Sequence, residues 1–225
     1  MNRERYSLIE SFMLSCMQDS AHDREHVYRV LYSALEIASE EADADYDVLV
    51  AACLLHDIGR AEQLRDPSLC HAQVGAEKAY RFLTEKGFGE VFAKHVSDCI
   101  LTHRFRKSSL PQSIEAKILF DADKLDAAGA VGIARTLVYK GTVGEPLYTL
   151  RSDGTISDGA QDEQPSFFQE YKRKLEKVYD GFYTQKGAQL AEQRRAAAEL
   201  FYNSLYEEVS TSRSFGAAEL EKRIR

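Results

Sequence analysis

The chain has no Cys-x-x-Cys pair; its four cysteines, Cys16, Cys53, Cys70 and Cys99, stand far apart. That spacing argues against a cysteine zinc site and against a disulfide frame. Cys53 and Cys99 fall in apolar helical patterns, where a free thiol packs as a small hydrophobe. No stretch approaches the roughly 18 apolar residues of a membrane span. The opening MNRERYSLIESFMLSCMQDS has no uninterrupted apolar core of export-signal length. Reduced cysteines, a cytoplasmic location and no membrane partner are therefore expected. Positive charge is short as well: 29 Lys and Arg against 36 Asp and Glu leave a net charge of −7. DNA binding needs a broad basic footprint, which this balance does not supply. A small anion can still be held by a few local cations or by a metal. Period-two alternation strong enough for a sheet is missing, and so are internal repeats and low-complexity runs.

What remains is helical. Hydrophobic residues make up 44% of 225 positions, ordinary for a globular chain. Apolar side chains recur every three to four residues over 6–17 and 23–41. Asp45 is placed to cap a helix through VLVAACLL to about Asp57. Gly59 and the stretch GRAEQLRDPSLC read as a loop, broken at Pro67. Helical patterns resume over about 71–86 and 89–103, and again after Pro111. Residues 141–165 are rich in Gly, Asp, Thr and Ser, and form an unusually long loop or a lid. Charged helices are expected over about 166–184 and 186–209, with 210–225 a frayed or weakly docked tail. The fold class is all-α, a single domain over 1–225 of eight or nine helices. Its core lies in 20–140, and 166–210 supplies C-terminal helices that complete the bundle.

Four polar groups interrupt the apolar faces. They are His22 and His26, four apart on one helical face; His56-Asp57, ending an apolar helix; His103, ending VSDCILTHR; and Asp121, Asp123 and Asp126 in FDADKLD. A lone buried histidine is usually a satisfied core hydrogen bond, and a lone Asp-x-Asp a cap or solvated turn. Together they supply imidazole nitrogen and carboxylate oxygen, ligand types for divalent ions, from the ends of mostly apolar helices. Burying several carboxylates without a cation is costly, and a divalent ion removes that cost.

These residues resemble the HD superfamily of metal-dependent phosphohydrolases. HDREHVYRV is similar to the HDxxHxxRV opening of a branch of small bacterial hydrolases. LLHDIGR and ILFDADKLDAAGAVGIAR are similar to its second and third motifs. The resemblance implies an HD-domain, phosphodiesterase-like helical bundle. It implies that His26, His56, Asp57 and Asp123 bind one divalent metal ion, among Mn, Mg, Ni, Co, Fe and Zn, with Mn or Mg favoured. Asp121 and Asp126 then orient ligands or stabilise helices. His71 and His103 could hold a second ion, but one ion is favoured, with His103 facing substrate.

The inferred chemistry is hydrolysis of a phosphate ester or anhydride. Asp57 is a candidate to orient water, and His103 or His22 to protonate the leaving oxygen. Lys124 is the first candidate for phosphate contact, followed by Arg60, Arg104, Arg106 and Lys107. The family branch suggests a nucleotide substrate, a nucleoside triphosphate cleaved to monophosphate and pyrophosphate, with Tyr28, Phe105 or Tyr148 available to stack on a base. The competing readings are a non-catalytic nucleotide-binding metal module and a two-metal oxygenase. Either a monomer or a homodimer is compatible with the apolar positions of the last helices.

Overall fold

The apolar run after Asp45 becomes a helix for reasons visible in its first turn. The Asp45 carboxylate accepts from the amides of Asp47 at 2.9 Å and Val48 at 3.2 Å, which satisfies two of the donors a helix start leaves open. In the computed structural model, which describes residues 1–17, 24–104 and 110–224, this helix is the third of ten. The order is α1 (Arg3–Cys16), α2 (Arg24–Ala38), α3 (Tyr46–Leu55), α4 (Arg60–Arg65), α5 (His71–Glu85), α6 (Glu90–Thr102) and α7 (Ile114–Leu125). Then come α8 (Gly129–Thr142), α9 (Phe167–Arg173), a 3-10 turn at Leu175–Lys177, and α10 (Gln185–Arg223). Among the described residues there is no strand, only one antiparallel bridge between Leu150 and Ile156. The fold is all-α, as the missing alternation implied, and α4 and α9 are short.

The chain divides into two compact units: Met1–Asp126 with Phe182–Gly187, and Ala127–Gly181 with Ala188–Arg225. In the first unit α3 is buried on every side, through Val48, Leu49, Ala51, Ala52, Cys53, Leu54 and Leu55. A helix apolar all round belongs at the centre of a core. Packed against it are α2, α6 and α7, whose buried residues include Val27, Val30 and Ala34, then Val96, Cys99 and Ile100, then Ile118, Leu119 and Ala122. Each fully buried Leu or Ile contributes about 1.5–3 kcal/mol.

Residues 59–70, read from sequence as a loop, contain α4. The difference comes from a backbone contact. A Cβ at Gly59 would lie 2.3 Å from the carbonyl oxygen of His71 and 2.7 Å from the amide of Gly75. Only glycine lets the turn after α3 rest directly on α5, and Arg60–Arg65 coil from there.

Asp121 is wholly buried and points to a strap at 182–187. Its carboxylate accepts from the Tyr183 amide at 2.9 and 3.0 Å, and from the Thr184 amide and hydroxyl, both at 2.7 Å. Thr184 Oγ1 in turn accepts from the Gly187 amide at 3.1 Å, closing the first turn of α10. Asp121 therefore fastens a chain segment rather than orienting a histidine. Burial holds its carboxyl above the ordinary aspartate value in spite of those donors.

The second unit is built on aromatic packing: Phe167, Phe168 and Tyr171 of α9 against α10, with Tyr171 and Tyr202 stacked at 4.1 Å. Segment 143–165 is an irregular loop tied into this unit, beginning where α8 ends. Thr149 and Ser157 both donate to Asp162, Tyr202 donates to the Asp158 carbonyl, and Arg213 to that of Gly154. The single helix expected over 166–184 is instead α9, the 3-10 turn and a bend. The expected frayed tail is also corrected: α10 continues to Arg223, with mostly exposed side chains. Its Ala, Glu, Lys and Arg content favours helix without an apolar face.

Replacing Asp121 with Asn turns amide hydrogens toward three donors. Asp121→Asn is expected to cost about 1–3 kcal/mol of stability in denaturant unfolding, while metal content stays at the wild-type level. Unchanged stability, or loss of metal, would contradict the strap role.

Candidate metal centre

Six side chains converge from five helices of the first unit. His26 sits in the first turn of α2, His56 and Asp57 follow the end of α3, and His71 opens α5. His103 follows α6, and Asp123 lies near the end of α7. Each imidazole is fixed through Nδ1. His26 donates to Asp126 Oδ2 at 2.7 Å, and His56 to the Cys53 carbonyl at 2.7 Å. His71 donates to Gln63 Oε1 at 2.6 Å, and His103 to the Ile100 carbonyl at 2.6 Å. Gln63 Nε2 donates to the Leu69 carbonyl at 3.0 Å, which decides the amide's orientation and so the His71 tautomer. Asp126 is itself held by Arg29, whose Nε lies 2.7 Å from Oδ1 and Nη2 3.1 Å from Oδ2.

With Nδ1 protonated on every ring, each Nε2 offers a lone pair. His26 and His56 turn theirs toward each other at 3.3 Å, and so do His71 and His103, also at 3.3 Å. Two facing acceptors repel unless a proton or a cation lies between them. The carboxylates complete two groups. Asp123 Oδ1 is 3.3 Å from His26 Nε2 and 3.9 Å from His56 Nε2. Asp57 divides itself: Oδ2 is 3.6 and 3.7 Å from the first pair, Oδ1 is 3.5 and 3.8 Å from the second. Within each of the groups His26–His56–Asp123 and Asp57–His71–His103, one donor atom per residue lies within 4.8 Å of the others. This donor set suits a divalent transition ion. His26, His56, Asp57, His71 and His103 are buried, whereas the Asp123 side chain is 24% exposed and faces solvent.

The electrostatics carry the same demand. At His26 burial opposes charge, yet the hydrogen bonds to Asp123 and Asp126 prevail and raise its pKa to about 9. Burial alone would raise Asp57 and Asp123. The neighbouring His56 and then Arg60 instead push Asp57 far below the usual carboxylate range, and the bond to His26 does the same to Asp123. His71 falls to about 3, through burial and then the nearby Arg60 charge. His103 falls to about 4, through burial and then His56. The proton on His26 stands where a cation would.

His103, a candidate with His22 to protonate a leaving group, has its Nδ1–H committed to the Ile100 carbonyl and its pKa lowered by burial, so in the metal-free protein its Nε2 offers a lone pair. Lys124 lies beside Asp123 with its ammonium 4.7 Å from the Phe182 ring centre and 5.7 Å from that of Phe120. Arg60 Nε donates to Asp57 Oδ1 at 2.9 Å. Arg104 follows His103, and its charge helps to depress His71. Tyr28 bonds Glu10 at 2.9 Å, and Tyr148 packs on Phe168 at 5.8 Å in the second unit, so both have partners of their own. His22, Phe105, Arg106 and Lys107 lie outside the described residues. Sequence reasoning missed Gln63, the hold of Arg29 on Asp126, and the Arg60–Asp57 pair. Arg60 and Asp57 are three apart across a helix start, which is the one signal available for any of them.

In metal-stripped protein the folded chain holds a proton on His26 that an unfolded imidazole, near 6.5, releases. That stabilisation is complete below pH 6.5 and is lost as pH rises through about 9. It amounts to about 3 kcal/mol. His71 and His103 titrate below this window. Denaturant unfolding at pH 6.5 and 9.5 is expected to show the fall, and a saturating divalent ion to abolish it. A flat profile in stripped protein would contradict the assignment.

Comparison with known proteins identifies the family. The family described as HD domain matches residues 24–128. YpgQ of Bacillus subtilis, an uncharacterized protein, is 32% identical over 207 residues, 89% of this chain and 92% of its own length. A crystal structure of that protein in complex with ADP has a TM-score of 0.71 at 29% identity, covering 91% of this chain and 95% of its own. An HD-superfamily hydrolase from Bacillus thuringiensis has a TM-score of 0.70 at 29% identity, covering 92% of this chain and 97% of that one. A predicted HD superfamily hydrolase from an uncultured Thermotogales bacterium has a TM-score of 0.60 at 30% identity, covering 89% and 90%. With its HD-domain match, its relative along most of its length and its His–Asp cluster, the chain belongs to the HD superfamily and is a metal-dependent phosphohydrolase.

Proposed function

We propose that His26, His56, Asp57 and Asp123 hold the resident divalent ion, and that the substrate is a nucleotide. The favoured reaction is hydrolysis of a nucleoside triphosphate to monophosphate and pyrophosphate. The observation that carries the proposal is the pair of Nε2 lone pairs on His26 and His56, 3.3 Å apart beside two carboxylates with strongly depressed pKa values. Manganese suits this nitrogen and oxygen set better than magnesium, which prefers oxygen. Once bound, such an ion lowers the pKa of water and polarises a phosphoryl oxygen.

The chain's own residues do the rest. Asp57 Oδ2, adjacent to both imidazoles, accepts a hydrogen bond from the attacking water and orients it. Attack at the α-phosphorus breaks the bond to the bridging oxygen, which leaves with pyrophosphate. Lys124 meets the phosphate as a point charge, its ammonium placed beside the Phe120 and Phe182 rings. Arg104 and His22 are further candidates for the polyphosphate. Support for a nucleotide comes from YpgQ, whose structure contains ADP.

A second ion is a specific addition favoured by the His71–His103 pair, which faces the same lone-pair repulsion 3.3 Å apart. It would be held by Asp57 Oδ1, His71 and His103. Two ions would also serve the oxygenase reading, but hydrolases are the relatives. A nucleotide sensor without turnover is the other reading.

The test is a screen on metal-stripped protein, with Mn, Mg, Co, Ni or Zn restored singly, against nucleotides and phosphomonoesters. Metal-dependent pyrophosphate release from a nucleoside triphosphate is expected, at least about a hundredfold lower in Asp57→Ala. Lys124→Ala is expected to raise KM or lower kcat while metal stays bound. Orthophosphate release from monoesters would change the substrate class. Tight nucleotide binding without turnover would favour the sensor, and wild-type activity in Asp57→Ala would remove the site.

A further inference from the structure

Asp57 Oδ1 is claimed twice. It completes the group with His71 and His103, and it also accepts the Arg60 Nε–H at 2.9 Å. An ion bound by the three donor atoms would sit about 2.1 Å from Oδ1, hence no more than about 5 Å from the guanidinium nitrogen. Across that distance, in a site whose histidines are almost wholly buried, a fixed positive charge strongly opposes a divalent one. The guanidinium also occupies a lone pair of the oxygen that the ion needs. The first group is placed differently. Its carboxylate oxygens are Asp123 Oδ1 and Asp57 Oδ2, neither of which Arg60 holds in this arrangement.

We propose that Arg60 is a gate: its hold on Asp57 Oδ1 keeps the His71–His103 group from binding a second ion until an oxyanion draws the guanidinium away. This rests on the metal reading of the site. The Arg60 side chain is 38% exposed, so an anion from solvent can reach it. A planar fork of five donors matches phosphate or sulfate oxygens as it matches a carboxylate's, so an oxyanion competes with Asp57 for it. By linkage, whatever releases Asp57 Oδ1 tightens the second ion, and the second ion equally tightens the anion. Substrate phosphate would then load the second position at the moment of binding, and the free enzyme would hold one ion.

The experiment titrates Mn2+ into metal-stripped full-length protein, following stoichiometry by calorimetry and the dinuclear signal by electron paramagnetic resonance. Wild type is expected to bind one ion tightly and a second weakly or not at all. Arg60→Gln, with Arg60→Met as the alternative uncharged variant, is expected to bind the second at least about tenfold tighter, with the first little changed. Sulfate, a soluble stand-in for phosphate, is expected to tighten the second ion in wild type and to have no effect in Arg60→Gln. Unchanged or weaker second-ion binding beside an intact first ion would overturn the gate. Sulfate tightening in both proteins, or in neither, would overturn the coupling. Failure of wild type to bind either ion would overturn the underlying site.

Discussion

Buried lone pairs that face each other set the constraint the first unit has to meet. Each pair of Nε2 atoms, 3.3 Å apart, lies beside a carboxylate: buried Asp57 beside both pairs, and partly exposed Asp123 beside the first. Four neutral imidazoles and two aspartates in such a place are unfavourable without a positive charge among them. The Nδ1 partners keep the rings from turning to escape the conflict. Three of those partners are a backbone carbonyl or a glutamine held by one, and the fourth is Asp126, tied at two points to Arg29. The arrangement is preorganised for a cation, with its cost met by the folding of the helices that carry it.

The helices deliver these groups from their ends because helix ends are where an apolar element can release a polar side chain into a shared space. Centrally buried α3 stops at Leu55, so His56 and Asp57 emerge just past its last apolar residue. The close backbone approach at Gly59 lays the next turn on α5 and brings His71 to Asp57. The last turns of α7 and its C-cap serve three directions within six residues. Asp121 faces the strap, Asp123 the histidines, and Asp126 the His26–Arg29 pair. The helical period separates 121 from 123 by about 200°, which is why neighbours in an Asp-x-Asp do different work.

That same helix marks how far the sequence can be read. The apolar periodicity of α2, α3, α5, α6 and α7 was legible, and so was the interruption by His56-Asp57. Choosing His26 over His22, and Asp123 over Asp121, depended on resemblance to a family, because spacing alone allows either. The strap role of Asp121 was not legible, since its partners Tyr183 and Thr184 lie about sixty residues away and carry no local signal. The commitment of Gln63 to His71 was hidden for a similar reason. The low pKa of His103 follows from complete enclosure, which no pattern in a ten-residue window reports. Short α4 and the continuation of α10 were missed because the first depends on one backbone contact and the second on propensity without an apolar face.

The central claim is that the lone pairs on His26 and His56 exist to hold a divalent ion. Anomalous diffraction from crystals grown with Mn2+ tests it most directly, recorded on both sides of the metal's absorption edge. The account predicts a peak about 2.0–2.3 Å from the Nε2 atoms of both histidines and from oxygens of Asp57 and Asp123. A peak elsewhere, ligation through Nδ1, or no peak at saturating metal would contradict it.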